Sequence, residues 1–202
     1  MFEDVPALSP ITFFKVECPI AESDTIALKA PYLLPDTSDL VSETPFADIA
    51  CAHNKKGLLF QIKVNKPFEE SAFPNTTRGD SIELFIDTRD LKTAGSITRF
   101  CHHFVFFPKD EPKEITRFRL EDSRPLADPE ELISTTEFTR RSYTMDIALS
   151  PDALHGFDPT QKRLGFTYRI NRYSGHPQHF NISSHEYPIE KHPAMWGSLI
   201  LS

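Results

Sequence analysis

Residues 79–89 read Gly-Asp-Ser-Ile-Glu-Leu-Phe-Ile-Asp-Thr-Arg, and their spacing narrows what this chain can fold into. Ile82, Leu84 and Ile86 alternate with Ser81, Glu83, Phe85 and Asp87, the period of a strand with one buried face. Acidic residues stand at both ends of the segment and one stands in the middle, which is unusual for a purely structural strand. The same period recurs over Leu58 to Asn65 (LLFQIKVN), Tyr143 to Leu149 (YTMDIAL) and Gly165 to Asn171 (GFTYRIN).

The intervening sequence is turn chemistry. Residues 46–53 (FADIACAH) alternate, and Asn54-Lys-Lys-Gly57 supplies a hairpin turn before the Leu58 strand, with Gly57 able to take positive φ. Short strands are also expected at 11–18 and 25–30, a Pro-, Asp- and Ser-rich loop at 31–45, a strand at Arg99 to Phe107, and another loop at 121–135. Ser150 to Gly156 reads as a single helical turn, capped by Ser150 and stopped by Gly156. With no repeat and no break in composition across 202 residues, residues 1–202 are expected to form one domain. The fold class expected is all-β, an antiparallel, jelly-roll-like β-sandwich.

Composition agrees. Seventeen Pro against seven Gly favours many connections and little continuous helix, and seventeen Phe with only one Trp is first a statement about core packing. The net charge of −7 is spread along the chain, which argues against nucleic acid as the main partner. Lys55-Lys56, Arg140-Arg141 and the Arg117/Arg119 pair read as solvated edges. No stretch approaches the ~20 apolar residues of a membrane span. No basic-then-apolar leader precedes the fold, and three widely spaced cysteines, Cys18, Cys51 and Cys101, read as reduced thiols. Together these point to a cytoplasmic protein.

Taken in order, the segments resemble a family 9 carbohydrate-binding module. The resemblance rests on Gly57-Leu-Leu-Phe-Gln-Ile-Lys-Val64, Asp80-Ser-Ile-Glu-Leu-Phe-Ile-Asp87 and Tyr143-Thr-Met-Asp-Ile-Ala-Leu-Ser-Pro151. It continues through the Asp152–Phe157 turn, Leu164-Gly-Phe-Thr-Tyr-Arg-Ile-Asn171 and the closing Met195-Trp-Gly-Ser-Leu-Ile-Leu201, covering about residues 46–201. It implies a sandwich that binds sugar without catalysis, a pyranose held between two Trp rings, and structural calcium. This chain has only Trp196, in the closing-strand motif, so Tyr173, Phe73 or Phe68 are the alternative platforms.

Parity assigns the other site candidates. With Leu84, Ile147 and Phe166 inside, the opposite set contains Gln61, Lys63, Glu83, Asp146, Thr167, Arg169 and Asn171. If these strands share a sheet, that open face offers amides, carboxylates and guanidinium groups to sugar hydroxyls; otherwise it is a solvated face with cross-strand ion pairs. The expected ligand-binding residues are Glu83, Arg99, Arg169 and Asn171, with Tyr173 or Phe73 as the stacking ring. Adjacent His102 and His103 point to opposite faces and cannot share a zinc ion. Asp48, Asp87 and Asp90 are the carboxylates suited to calcium. No nucleophile or phosphate-loop motif is present, and a Glu83–Asp146 pair is the one arrangement with hydrolytic chemistry. Two functions remain open: recognition of a carbohydrate or glycan end, or a cytoplasmic protein-interaction module that kept the sandwich and lost the sugar site.

Overall fold

The computed structural model describes residues 15–202 apart from Pro159. The first part of the expected 11–18 strand lies outside the described residues. Of the remainder, Glu17 and Cys18 belong to β1, Glu17–Glu22, and Lys15 and Val16 precede it. The hairpin forms where the turn residues place it: β2, Ala47–Asn54, runs antiparallel to β3, Gly57–Val64, and Asn54 pairs with Gly57. The later strands are β4 (Ser81–Asp87), β5 (Cys101–Phe106), β6 (Lys113–Glu114), β7 (Leu132–Phe138) and β8 (Tyr143–Leu149). They are followed by β9 (Arg163–Asn171), β10 (Gln178–His179) and β11 (Gly197–Leu201).

All-β is the class. The one α-helix among the described residues, α1, is four residues long, Ser38–Val41, and falls within the stretch expected to be loop. The strands follow one path, β6-β5-β4-β9-β11-β1-β2-β3-β8-β7, with β10 beside β9. The sheet curls until it is nearly closed into a barrel-like shape. Its two halves pack across one core, where the rings of Phe60 on β3 and Phe166 on β9 stack at 5.6 Å.

Four expectations need correction. The pairing is not wholly antiparallel, because β1 runs parallel to both of its neighbours: Glu17 to Ile20 match β11, then Ala21 and Glu22 match β2. Residues 25–30 form bends and turns rather than a strand; Leu28 N–H donates to the Gln61 side chain instead of to a ladder neighbour. Residues 132–135, expected as loop, begin β7 on the free side of β8. The helical turn expected at 150–156 does not form; the segment makes successive tight turns instead, although Ser150 Oγ accepts from Ala153 N–H in the capping manner and Gly156 ends it at φ +80°. Cys18, Cys51 and Cys101 are free and buried.

Parity holds on one half of the sheet and fails on the other. β3 and β8 alternate buried and partly exposed residues, whereas every residue of β4 is buried. A second apolar cluster explains the difference: Phe85, Ile97, Cys101, Ile182, Ile189 and Trp196 pack on the outer side of β4 and β5. The C-terminal loop thus roofs a face that β3 and β8 leave open.

Gly57 holds the hairpin at φ +116°, and a Cβ there would lie 1.9 Å from the Leu149 carbonyl oxygen. Gly57→Ala is therefore expected to destabilise the fold by about 2 kcal/mol or more in denaturant unfolding. A loss below about 0.5 kcal/mol, the range of an ordinary surface substitution, would show that the turn can relax.

Candidate functional site

The centre of the covered face is a carboxylate with no exposed surface, Glu83. The β4–β9 register sets Arg169 directly opposite it, and the guanidinium binds bidentately, Nε and Nη2 each donating at 2.9 Å. From β5 on the other side, His103 Nε2 donates at 2.6 Å, which fixes the hydrogen on Nε2 because the carboxylate only accepts. The Asn171 amide donates to the same carboxylate and to Ser81 Oγ. Burial pushes the Glu83 pKa up, but the His103 hydrogen bond and the Arg169 charge outweigh it and hold the group at about 2.

Above this network lies a pocket of about 790 Å³. Its lining includes Phe85, the His103 imidazole and Trp196, together with Pro74 to Thr76, Ile115 to Arg117, Arg119 and residues 190–192. Phe85 is fully covered, and the partly exposed His103 ring stacks on it at 4.1 Å and 28°. Trp196 is 3% exposed and its indole N–H donates to Ile189 O at 2.8 Å, so the framework half of its role is plain.

The sequence-derived candidates separate into two groups. Glu83, Arg169 and Asn171 come together, but on a covered face rather than an open one; Arg169 is 9% exposed and Asn171 2%. Arg99 is elsewhere: it sits in the turn before β5, bonded to Glu121 O and facing Asp122. Tyr173 is half-exposed just beyond β9 and takes no part in the pocket wall. Phe73 is also half-exposed, edge-on to Phe107, immediately before the lining residue Pro74. Phe68 packs against Phe138 and Tyr143. Glu83 and Asp146 do not form a pair, because β4 and β8 lie in opposite halves of the sheet and Asp146 accepts from Gln61 at 2.8 Å. Sequence reasoning missed His103 as part of the site and treated Arg117 and Arg119 as edge charges. Their alternation around Phe118 was the available signal.

The carboxylates suited to calcium do not converge. Asp48 accepts from the Asn65 amide, and Asp87 accepts the backbone N–H groups of Arg89 and Leu91. Asp90 takes Arg163 and Ser198 Oγ on one oxygen and stands 2.7 Å from the Lys92 ammonium on the other. That ammonium also donates to the carbonyls of Trp196 and Gly197 at 2.6 and 2.9 Å. Among the described residues no group of three or more His, Cys, Asp or Glu is placed to hold a metal ion.

No family model matches the sequence, and no curated protein matches it. Solved structures do match, among them carbohydrate-binding modules of family 9. A module of that family from Caldicellulosiruptor kristjanssonii, in complex with cellotriose, superposes with a TM-score of 0.64 at 16% identity, covering 92% of this chain and 93% of its own. A second structure from that organism, in complex with glucose, gives 0.63 at 16% identity over 92% and 95%. At that identity the likeness is one of fold, so this chain has the fold of family 9 carbohydrate-binding modules.

Two predictions follow from the buried network. Arg169→Ala strands Glu83 without its cation and is expected to cost about 3–5 kcal/mol, as much as emptying the core with Phe166→Ala. Denaturant melts of the two variants decide it, and a loss under about 1 kcal/mol for Arg169→Ala would show that the pair is open to water.

The second concerns acid. Glu83 and Glu114 are both held at about 2 against an ordinary 4.5; for Glu114, burial raises the pKa and the His102 and Arg124 contacts outweigh it. Depressed carboxylates stabilise the fold above their unfolded pKa and lose that contribution as pH falls toward the folded value. His102 adds in the same direction, since burial lowers its pKa and the folded state resists its charging. Stability should therefore begin to fall below about pH 6.5 and drop most steeply between about 4.5 and 2. A melting temperature that stays flat from pH 6 to about 3 would contradict this.

Proposed function

We propose that the protein is a non-catalytic carbohydrate-binding module, with a sandwich-type site in the pocket over β4, β5 and β9. The observation that carries the reading is the pocket itself, set on a fold shared over nine-tenths of the chain with modules solved holding cellotriose or glucose. Ligand pockets of this size combine apolar walls with a few fixed polar groups. Here the apolar surface comes from Pro74, Ile97, Ile115 and the Phe85-backed His103 ring.

The polar groups are held before any ligand arrives. Glu83 orients His103 and Arg169 through three hydrogen bonds, so little side-chain freedom is left to lose on binding. Glu83, Arg169 and Asn171 act in this reading as the rigid base of the site, and His103 takes the place of a Trp platform. Phe73, exposed and next in sequence to the lining residue Pro74, is the flat ring proposed to cover a bound sugar. Glu83 accepts four hydrogen bonds in this base, and Asp146 bonds to Gln61 in the other half of the sheet.

Calorimetric titration with cellotriose and glucose tests the proposal. Saturable binding is expected, weakened about tenfold by His103→Ala, which removes the ring, and measured against Tyr173→Ala as the variant outside the pocket. Silence toward both sugars, or equal loss in both variants, would overturn it.

A further inference from the structure

The pocket runs against the charge of the chain. The protein carries −7, yet the charged residues lining this cavity are Arg117, Arg119, Arg169 and Lys191 against Glu83 and Glu190. Arg169 and Glu83 neutralise each other. What remains is three cations against one carboxylate, a surplus of two positive charges.

These cations come from two segments of the chain. Arg117 and Arg119 both line the cavity and are both exposed, while Phe118 between them packs on the outer apolar cluster with its ring 4.9 Å from the Arg124 guanidinium. Lys191 lines the same cavity from the end of a 3-10 turn (Ile189–Lys191) whose Ile189 is buried. Among the described residues none of the three is in an ion pair with a carboxylate, whereas Arg99, Arg124, Arg163 and Arg172 all are. Charges that serve only solubility in an acidic protein have no reason to gather around one cavity.

We infer that the sugar this pocket takes is an acidic one: a pyranose bearing a carboxylate or sulfate group, which Arg117, Arg119 and Lys191 receive at the mouth. Planar guanidinium groups match both anions bidentately. The inference rests on the carbohydrate-binding reading and adds the ligand's charge to it. His103 and the apolar wall meet the ring; the cations meet its substituent.

The test holds the ring constant and changes the substituent. Methyl β-D-glucuronide is titrated against methyl β-D-glucoside, and glucose 6-sulfate against glucose, with acetate and inorganic sulfate as plain anions. Tighter binding of each acidic ring by about tenfold is expected, shrinking as salt is raised from about 50 mM to about 500 mM. Arg117→Ala/Arg119→Ala should remove that preference, and Arg117→Lys/Arg119→Lys should keep part of it through charge alone. Both residues are exposed, and an unchanged melting temperature confirms that the variants fold. Equal affinity for acidic and neutral rings would overturn the inference while leaving sugar binding intact. Acetate or sulfate binding as tightly as the acidic rings would reduce the site to an anion site and overturn it too. Silence toward all four sugars would remove the carbohydrate reading along with it.

Discussion

A carboxylate without exposed surface cannot stand alone, and Glu83 is the demand around which one half of this molecule is arranged. Its four hydrogen bonds come from three strands: β4 supplies the acid, β9 supplies Arg169 and Asn171, and β5 supplies His103. A one-residue slip of β9 would turn Arg169 into the core and leave the acid buried and unpaired. The network therefore fixes register, and register fixes where the strand residues Glu83, Phe85, His103 and Arg169 stand in the pocket. Fold and site are specified here by the same set of contacts.

How much of this could be read in advance depends on the distance over which each feature is determined. The Asn54–Gly57 hairpin, the β3, β4, β8 and β9 strands and their core-facing sets are local matters of period and turn residue, and they stand where the sequence put them. The solvated outer face was legible for β3 and β8, where Gln61, Lys63 and Asp146 meet water. It was not legible for Glu83, Arg169 and Asn171, because the face they share is covered by the segment after β10, carrying Ile182, Ile189 and Trp196 and far beyond Glu83 in sequence. Alternation tells which side chains share a face and is silent about what covers that face. The parallel pairings of β1 escaped for a similar reason, since they join residues 17–22 to strands at both ends of the chain.

The single Trp now has a physical account. Trp196 closes the outer cluster, and its N–H is taken by the Ile189 carbonyl, which places it beneath the pocket as structure. The flat surface met from the cavity is an imidazole backed by Phe85, smaller than an indole and tied to a carboxylate. A site so built relies less on ring area and more on oriented polar and charged groups. His103 was passed over in sequence because its neighbour His102 invited a question about metals, and adjacency answered only that question.

Lys92 reaches the carbonyls of Trp196 and Gly197 at the start of β11 while facing Asp90, so a positive charge clamps the closing strand to the loop after β4. Carbonyl and carboxylate oxygens gathered around a cation are the donor set a hard metal ion would use. Here the cation is covalently part of the chain. A chelator cannot strip it, its local concentration does not vary with the surrounding medium, and the strand that follows Trp196 is seated as soon as the polypeptide folds.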